Sequence, residues 1–353
     1  MRWAGLDGLR ALAVLAVLCG HIGWYVGRGG FLGVDVFFVL SGYLITMLLL
    51  RERERTGSIK LAAFYARRAL RLYPALIAAV ILAVTIPRAD TSASGGWVSL
   101  AYVMDIARAF GWISDAHAGS LGVTWSLAIE EHFYLIWPLI LLVAAPRLSR
   151  RALGVLTGTL LLASWTALVI LSHVTRARNL YFRPDLRVCA LFAGCLLAMA
   201  SLERAQRLTR YLAWPAFFAL LALMQARTRG PWAPSTFAVR MPLIWALTAI
   251  LIVAVTRDQA PRLNAFLGWG PVAYVGRISY GIYLYHLALL TIISSFHLRF
   301  AVRMPLFVLV PLVVAAVSFH LVEQPFLRMK DRRFSSSNDA AVDARVVASV
   351  ANA

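Results

Sequence analysis

A chain of 353 residues that is 61% hydrophobic and 14% charged, with a mean hydropathy of +0.74, is not a soluble enzyme, a disordered chain or a disulfide scaffold. Soluble domains run about 45–50% apolar and about 25% charged. The 35 Lys and Arg against 16 Asp and Glu give a net charge of +19. They fall between apolar stretches, which points to membrane topology and anionic headgroups rather than nucleic acid.

Ten apolar segments read as spanning helices: 9–27, 31–50, 72–88, 123–145, 152–173, 186–202, 211–226, 240–256, 277–297 and 304–323. The first resembles a signal peptide. However, Leu18 precedes Cys19 where a lipoprotein cleavage site wants a small residue, and a second apolar segment follows at once, so it reads as a retained helix. The stretch from Trp97 to Ile113 is apolar but carries Asp105 and Arg108. It could cross, re-enter or lie in the interface. If it does not cross and the N-terminus is cytoplasmic, the inside segments hold 22 Lys and Arg and the outside segments 12. That asymmetry fits the positive-inside rule. The expected fold is therefore an all-α polytopic membrane protein of about ten transmembrane helices, both termini cytoplasmic, with 97–113 on the outer side. Residues 1–330 form its membrane domain and 331–353 a small, polar tail expected to be disordered. Cys19, Cys189 and Cys195 lie inside apolar segments and imply neither a disulfide nor a metal site. No P-loop or Gly-x-Ser-x-Gly motif is present.

Ionisable side chains at membrane depth are costly and mark sites or pathways. In the first helix, Asp7, Arg10, Val14, Val17 and His21 fall on one stripe. Arg10 and His21 are eleven residues apart, so they differ by about 20° in direction and about 16 Å in height. The second helix carries Asp35 and Ser41 among glycines that permit close packing. Arg68 and Arg71, three residues apart in a basic cytoplasmic loop, present two guanidinium forks suited to phosphates; a plain positive-inside anchor is the other reading. The fourth helix holds Glu130 and Glu131 side by side. Measured from the expected helix ends, Glu130 lies about 10 Å down and His21 about 9 Å down. A His beside a carboxylate is the arrangement of an oriented general base; an ion pair or a transporter's proton relay uses the same residues. Arg187 at the outer start of the sixth helix and His286 near membrane depth complete the candidates.

These stretches, in order, resemble the acyltransferase-3 family of integral membrane O-acyltransferases. They are Gly5-Leu6-Asp7-Gly8-Leu9-Arg10 with His21, Phe37-Phe38-Val39-Leu40-Ser41-Gly42-Tyr43-Leu44, and Arg68-x-x-Arg71 with Tyr73-Pro74. Trp125-Ser126-Leu127 with Glu130-Glu131-His132-Phe133-Tyr134 follows, then Ile278 to His286 and Glu323-x-Pro325. The resemblance implies transfer of an acyl group, most simply acetyl, from cytoplasmic acyl-coenzyme A to a hydroxyl of a carbohydrate or glycosylated small-molecule acceptor. The protein would sit in the cell membrane, with lipids and acyl-CoA as partners, no nucleic acid, no metal and no tightly bound cofactor. It makes His21 the base, Arg10 its motif partner, and Arg10, Arg68 and Arg71 the candidates for contacting coenzyme A; Glu130 belongs to the active site and orients or charges the imidazole. Direct attack is preferred over transient acylation of His21. Some members carry a further C-terminal esterase-like domain, for which this chain has no segment of sufficient size. A secondary transporter or lipid-linked-sugar carrier with a His/Glu relay is the alternative function.

Overall fold

The computed structural model describes residues 3–22, 28–86, 91–175, 177–200, 203–226 and 230–334, which are helical with no strand among them. The principal helices are α1 (Ala4–Ile22), α2 (Gly33–Thr56), α3 (Leu61–Thr85), α4 (Ala93–Leu100), α5 (Met104–Ala109), α6 (Trp125–Ala144) and α7 (Arg150–Val174). They continue with α8 (Cys189–Met199), α9 (Glu203–Gln225), α10 (Met241–Thr256), α11 (Gly270–Arg277), α12 (Ser279–Ser294), α13 (Phe300–Ser318) and α14 (Gln324–Phe334). Among the described residues, seven helical stretches are long and apolar enough to cross a membrane, and α12 is a shorter apolar helix of 16 residues. The chain is thus an all-α polytopic membrane protein.

Each of the ten expected segments contains a helix, but several run past the expected ends: α2 continues to Thr56, α9 begins at Glu203, and α3 begins at Leu61, so Arg68 and Arg71 lie on a helix rather than in a loop. The sixth is helical over Cys189–Met199, preceded by a single turn at Pro184–Arg187, because Pro184 opens that turn and Ala200 turns extended. The last runs on through a π-helical turn at Phe319–Glu323 into α14, so helix reaches Phe334, four residues into the expected tail; the tail from 335 and the first helix's residues 23–27 lie outside the described residues. The ambiguous stretch 97–113 falls in α4 and α5, of 8 and 6 residues, with Tyr102 at φ 53° between them. At 1.5 Å per residue these reach about 12 and 9 Å, far short of the roughly 30 Å of a hydrocarbon core.

Burial sorts the helices into an enclosed centre and a lipid-facing ring. In α1 and α2 most of the apolar span is buried, whereas α7 buries only Leu153, Thr157, Leu168 and Ser172 and presents Val155, Leu162 and Ile170 outward. In water such a face would be a liability; against acyl chains it is at equilibrium, so packing rather than hydrophobicity must hold the centre together. The α2–α8 crossing shows how. A Cβ on Gly42 would stand 2.0 Å from the Leu191 carbonyl oxygen, and one on Gly194 2.1 Å from that of Val39. Only glycine at both positions lets these backbones touch. The same contact holds α11 against α1, where a Cβ on Gly276 would stand 1.7 Å from the Asp7 oxygen.

Candidate active site

Two cavities penetrate the enclosed centre. One, of about 270 Å³, is lined by Arg10, Arg68, Arg71 and Arg277, with Glu130 and Ser41 among the remaining walls. The other, of about 280 Å³, is lined by His21, Arg108, Asp115, Trp125 and Trp232. Val34 and Tyr283 line both. Helix α1 reaches each of them, Arg10 at the first and His21 at the second. The eleven-residue spacing thus spans the distance between two chambers.

In the arginine cavity three of the four guanidinium groups are held by identified neighbours. Arg10 donates to Asp7 at 3.0 Å one turn earlier. Arg68 stacks over the Tyr134 ring at 4.1 Å, and Arg277 over Tyr274 at 5.2 Å. The Ser41 hydroxyl donates to Glu130 at 2.8 Å, and the positive charges of Arg68 and Arg10 act on that carboxylate. Four fixed cations against Asp7 and Glu130 leave the chamber net positive. Planar forks on rigid stems bind phosphate oxygens bidentately.

The histidine cavity has a different character. Arg108 donates to Gly122 O at 2.9 Å and to Asp115 at 2.8 Å and lies over the Phe182 ring at 4.0 Å. Arg178 pairs with the same Asp115 and lies over Trp232 at 5.3 Å. Arg108 is ion-paired here, sharing Asp115 with Arg178, and aromatic faces dominate the wall. His21 is exposed to this space. Its Nδ1 is 2.9 Å from the Val17 carbonyl oxygen. A carbonyl only accepts, so Nδ1 carries the proton and Nε2 keeps a free lone pair in the neutral ring. His286 repeats the pattern, with Nδ1 at 2.7 Å from Tyr283 O and a buried Nε2 without a partner. The two rings stand 5.0 Å apart, edge to face.

His21 and Glu130, expected side by side, line different cavities, and no contact joins them. The Val17 carbonyl, not Glu130, orients the imidazole. The depth comparison placed the end of α1 at residue 27 and the start of α6 at 123. The described part of α1 ends at Ile22, one residue past His21, while Glu130 is five residues, about 8 Å, inside a helix that starts at Trp125. Arg10, Arg68, Arg71 and Ser41 do converge with Glu130. Glu131 lines neither cavity and lies near Arg68 and His132; His132 itself sits 3.1 Å from buried Asp105. Asp35 accepts from Arg187 at 3.1 Å and from Trp245 at 3.0 Å, all without solvent access at the ion pair. Arg187 lies under the Tyr181 ring, so this pair props the wall of the histidine cavity. Tyr283, Ser126 and Arg277 were not singled out by the sequence reading. The first two stand inside quoted motifs, Tyr283 three residues before His286, and that spacing was the available signal.

The family described as an acyltransferase domain, acyltransferase-3, matches residues 3–322. YrhL of Bacillus subtilis strain 168 is 32% identical over 94% of this chain and 56% of its own length. The peptidoglycan O-acetyltransferase OatA of Listeria monocytogenes serovar 1/2a is 31% identical over 91% of this chain and 55% of its own. The O-acetyltransferase OatA of Staphylococcus aureus NCTC 8325 is 28% identical over 94% and 58%. The chain therefore spans a little over half the length of these curated relatives. No solved structure matches it. With the family match covering nearly all the described helices, the chain belongs to the acyltransferase-3 family of integral membrane O-acyltransferases.

Proposed function

We propose that this chain is a plasma-membrane O-acetyltransferase with about ten spanning helices and both termini cytoplasmic. It takes acetyl from cytoplasmic acetyl-coenzyme A and passes it to a carbohydrate hydroxyl, of the peptidoglycan type named for the Listeria relative. The observation that carries the reading is the pair of chambers on α1: four arginines line one, a histidine with a free Nε2 lines the other, and they meet at Val34 and Tyr283. Arg10, Arg68, Arg71 and Arg277 hold the phosphates of coenzyme A. The pantetheine arm brings the thioester to the junction. The acceptor lies against Trp125 and Trp232.

His21 Nε2 takes the proton of the acceptor hydroxyl as that oxygen attacks the thioester carbonyl. The oxygen–carbon bond forms, the carbon–sulfur bond breaks, and the departing thiolate receives the proton from the imidazolium. The products are an ester and free coenzyme A thiol, with neutral His21 restored. Val17 O holds the ring in the one tautomer that can act this way. Glu130, from its place beside Arg68 and Arg10, sets the donor arginines in position. A His/Glu proton relay loses its basis when the two residues occupy separate chambers.

The test is thiol release by purified protein given acetyl-coenzyme A, with and without soluble peptidoglycan fragments. Release that depends on the fragments, with acetyl ester recovered on them, supports the reading. Release no faster than in protein-free buffer contradicts it.

A further inference from the structure

The two chambers are large, but among the described residues they share only the walls supplied by Val34 and Tyr283. Both side chains are nearly buried, at 5% and 6% exposure. The Tyr283 hydroxyl donates to the Val123 carbonyl at 2.9 Å. Its one proton thus committed, its oxygen accepts from the Ser126 hydroxyl at 2.6 Å. Ser126 lines the arginine cavity and Val123 the histidine cavity, so the tyrosine is latched to both sides of the partition. Its carbonyl accepts from His286, whose ring packs 5.6 Å from its own. Across the junction, Val34 is fixed by its neighbours. A Cβ on Gly33 would stand 2.4 Å from the Ala13 oxygen, and Asp35 is tied to Arg187 and Trp245. Neither wall can yield without breaking several contacts.

The geometry points to Tyr283 and Val34 as the filter that sets the length of the acyl group transferred. This rests on the acetyltransferase reading above. For the acceptor oxygen to reach the thioester carbon, the acyl group must occupy the junction. An acetyl group brings one methyl past the carbonyl. A propionyl or butyryl chain brings carbon atoms that have to displace a latched ring or a packed isopropyl group. In a closed apolar setting each methylene is worth roughly 10- to 200-fold in discrimination. The filter restricts the substrate class to two-carbon thioesters, and its residues touch the acyl chain without taking part in proton transfer. Substitution there changes the ratio between donors more than it changes the chemistry.

The measurement is kcat/KM for acetyl-, propionyl- and butyryl-coenzyme A with the purified full chain and soluble peptidoglycan fragments as acceptor. The wild type should favour acetyl over propionyl by about tenfold or more. Tyr283→Ala and Val34→Ala should each raise the butyryl-to-acetyl ratio by about tenfold or more. The ratio cancels any general loss of active protein, and if Tyr283→Ala does not fold, the smaller Val34→Ala change decides. A wild type indifferent to chain length, or variants that keep the wild-type ratio while transferring acetyl, overturns the filter and leaves the acetyltransferase reading standing. No transfer of any chain length by the wild type removes that reading and the filter with it.

Discussion

The arginine cavity and the histidine cavity are nearly equal in volume and opposite in chemistry. Four guanidinium groups outnumber the carboxylates in the first, three of them steadied by a ring or an acid. In the second, Arg108 and Arg178 converge on Asp115, and an imidazole and aromatic faces line the space. On the proposed reading the larger excess of fixed charge takes the polyanionic donor, and the aromatic walls take the neutral, hydroxyl-bearing acceptor. The contrast teaches that a single helix can reach two chambers by carrying an arginine and a histidine eleven residues apart. It also makes the two sets of residues separable by experiment.

The largest expected effect breaks the histidine side. His21→Ala should lower single-turnover acetyl transfer by about 10²- to 10⁴-fold, the usual contribution of a general base, while equilibrium binding of acetyl-coenzyme A stays near wild type. Loss of donor binding would put His21 on the wrong side of the comparison. Next in size, Arg68→Ala and Arg71→Ala should each raise KM for acetyl-coenzyme A, since a hydrogen bond from a charged group is worth about 1.5–3 kcal/mol, and should leave KM for the acceptor near its starting value. Equal changes for both substrates would return these residues to topological anchors. Trp232→Ala should do the reverse, raising acceptor KM severalfold with donor KM unmoved in the same steady-state assay. The smallest effect is that of Glu130→Gln. The amide can still accept from Ser41 but carries no charge toward Arg68 and Arg10, so donor KM should shift by a few fold. A collapse of turnover with donor KM unchanged would restore Glu130 to the side of His21.

Much of this arrangement was legible in the sequence. The apolar segments gave the helices because lipid forces backbone groups to pair within each segment. The positions of Arg10 and His21 on one stripe followed from helical spacing alone. Helix ends are what the apolar pattern does not mark, and the expected level of Glu130 and His21 depends on them: Gly119–Thr124 forms a 3₁₀ turn rather than the start of α6. Arg187 and Asp35, 152 residues apart, pair by tertiary packing that spacing does not encode. Tyr283 was hidden among four aromatic and aliphatic neighbours in its own helix; only the cavity on each side of it reveals its position. Conversely, the glycines around Asp35 and Ser41, Gly42 among them, carried their meaning openly, since close helix contact is what small residues permit in lipid, whereas Gly194, on the facing helix, shows its role only in the crossing.

The proposed function places the donor on the cytoplasmic side and the acceptor in the other chamber, so the two should enter from opposite faces and meet between the chambers. Vesicles holding the protein in one orientation, cytoplasmic face outward, with soluble peptidoglycan fragments enclosed and acetyl-coenzyme A added only outside, test it most directly. The account predicts acetyl ester on the enclosed fragments and free thiol outside, with neither formed by His21→Ala vesicles. Ester formed only when fragments and acetyl-coenzyme A share one compartment would contradict it.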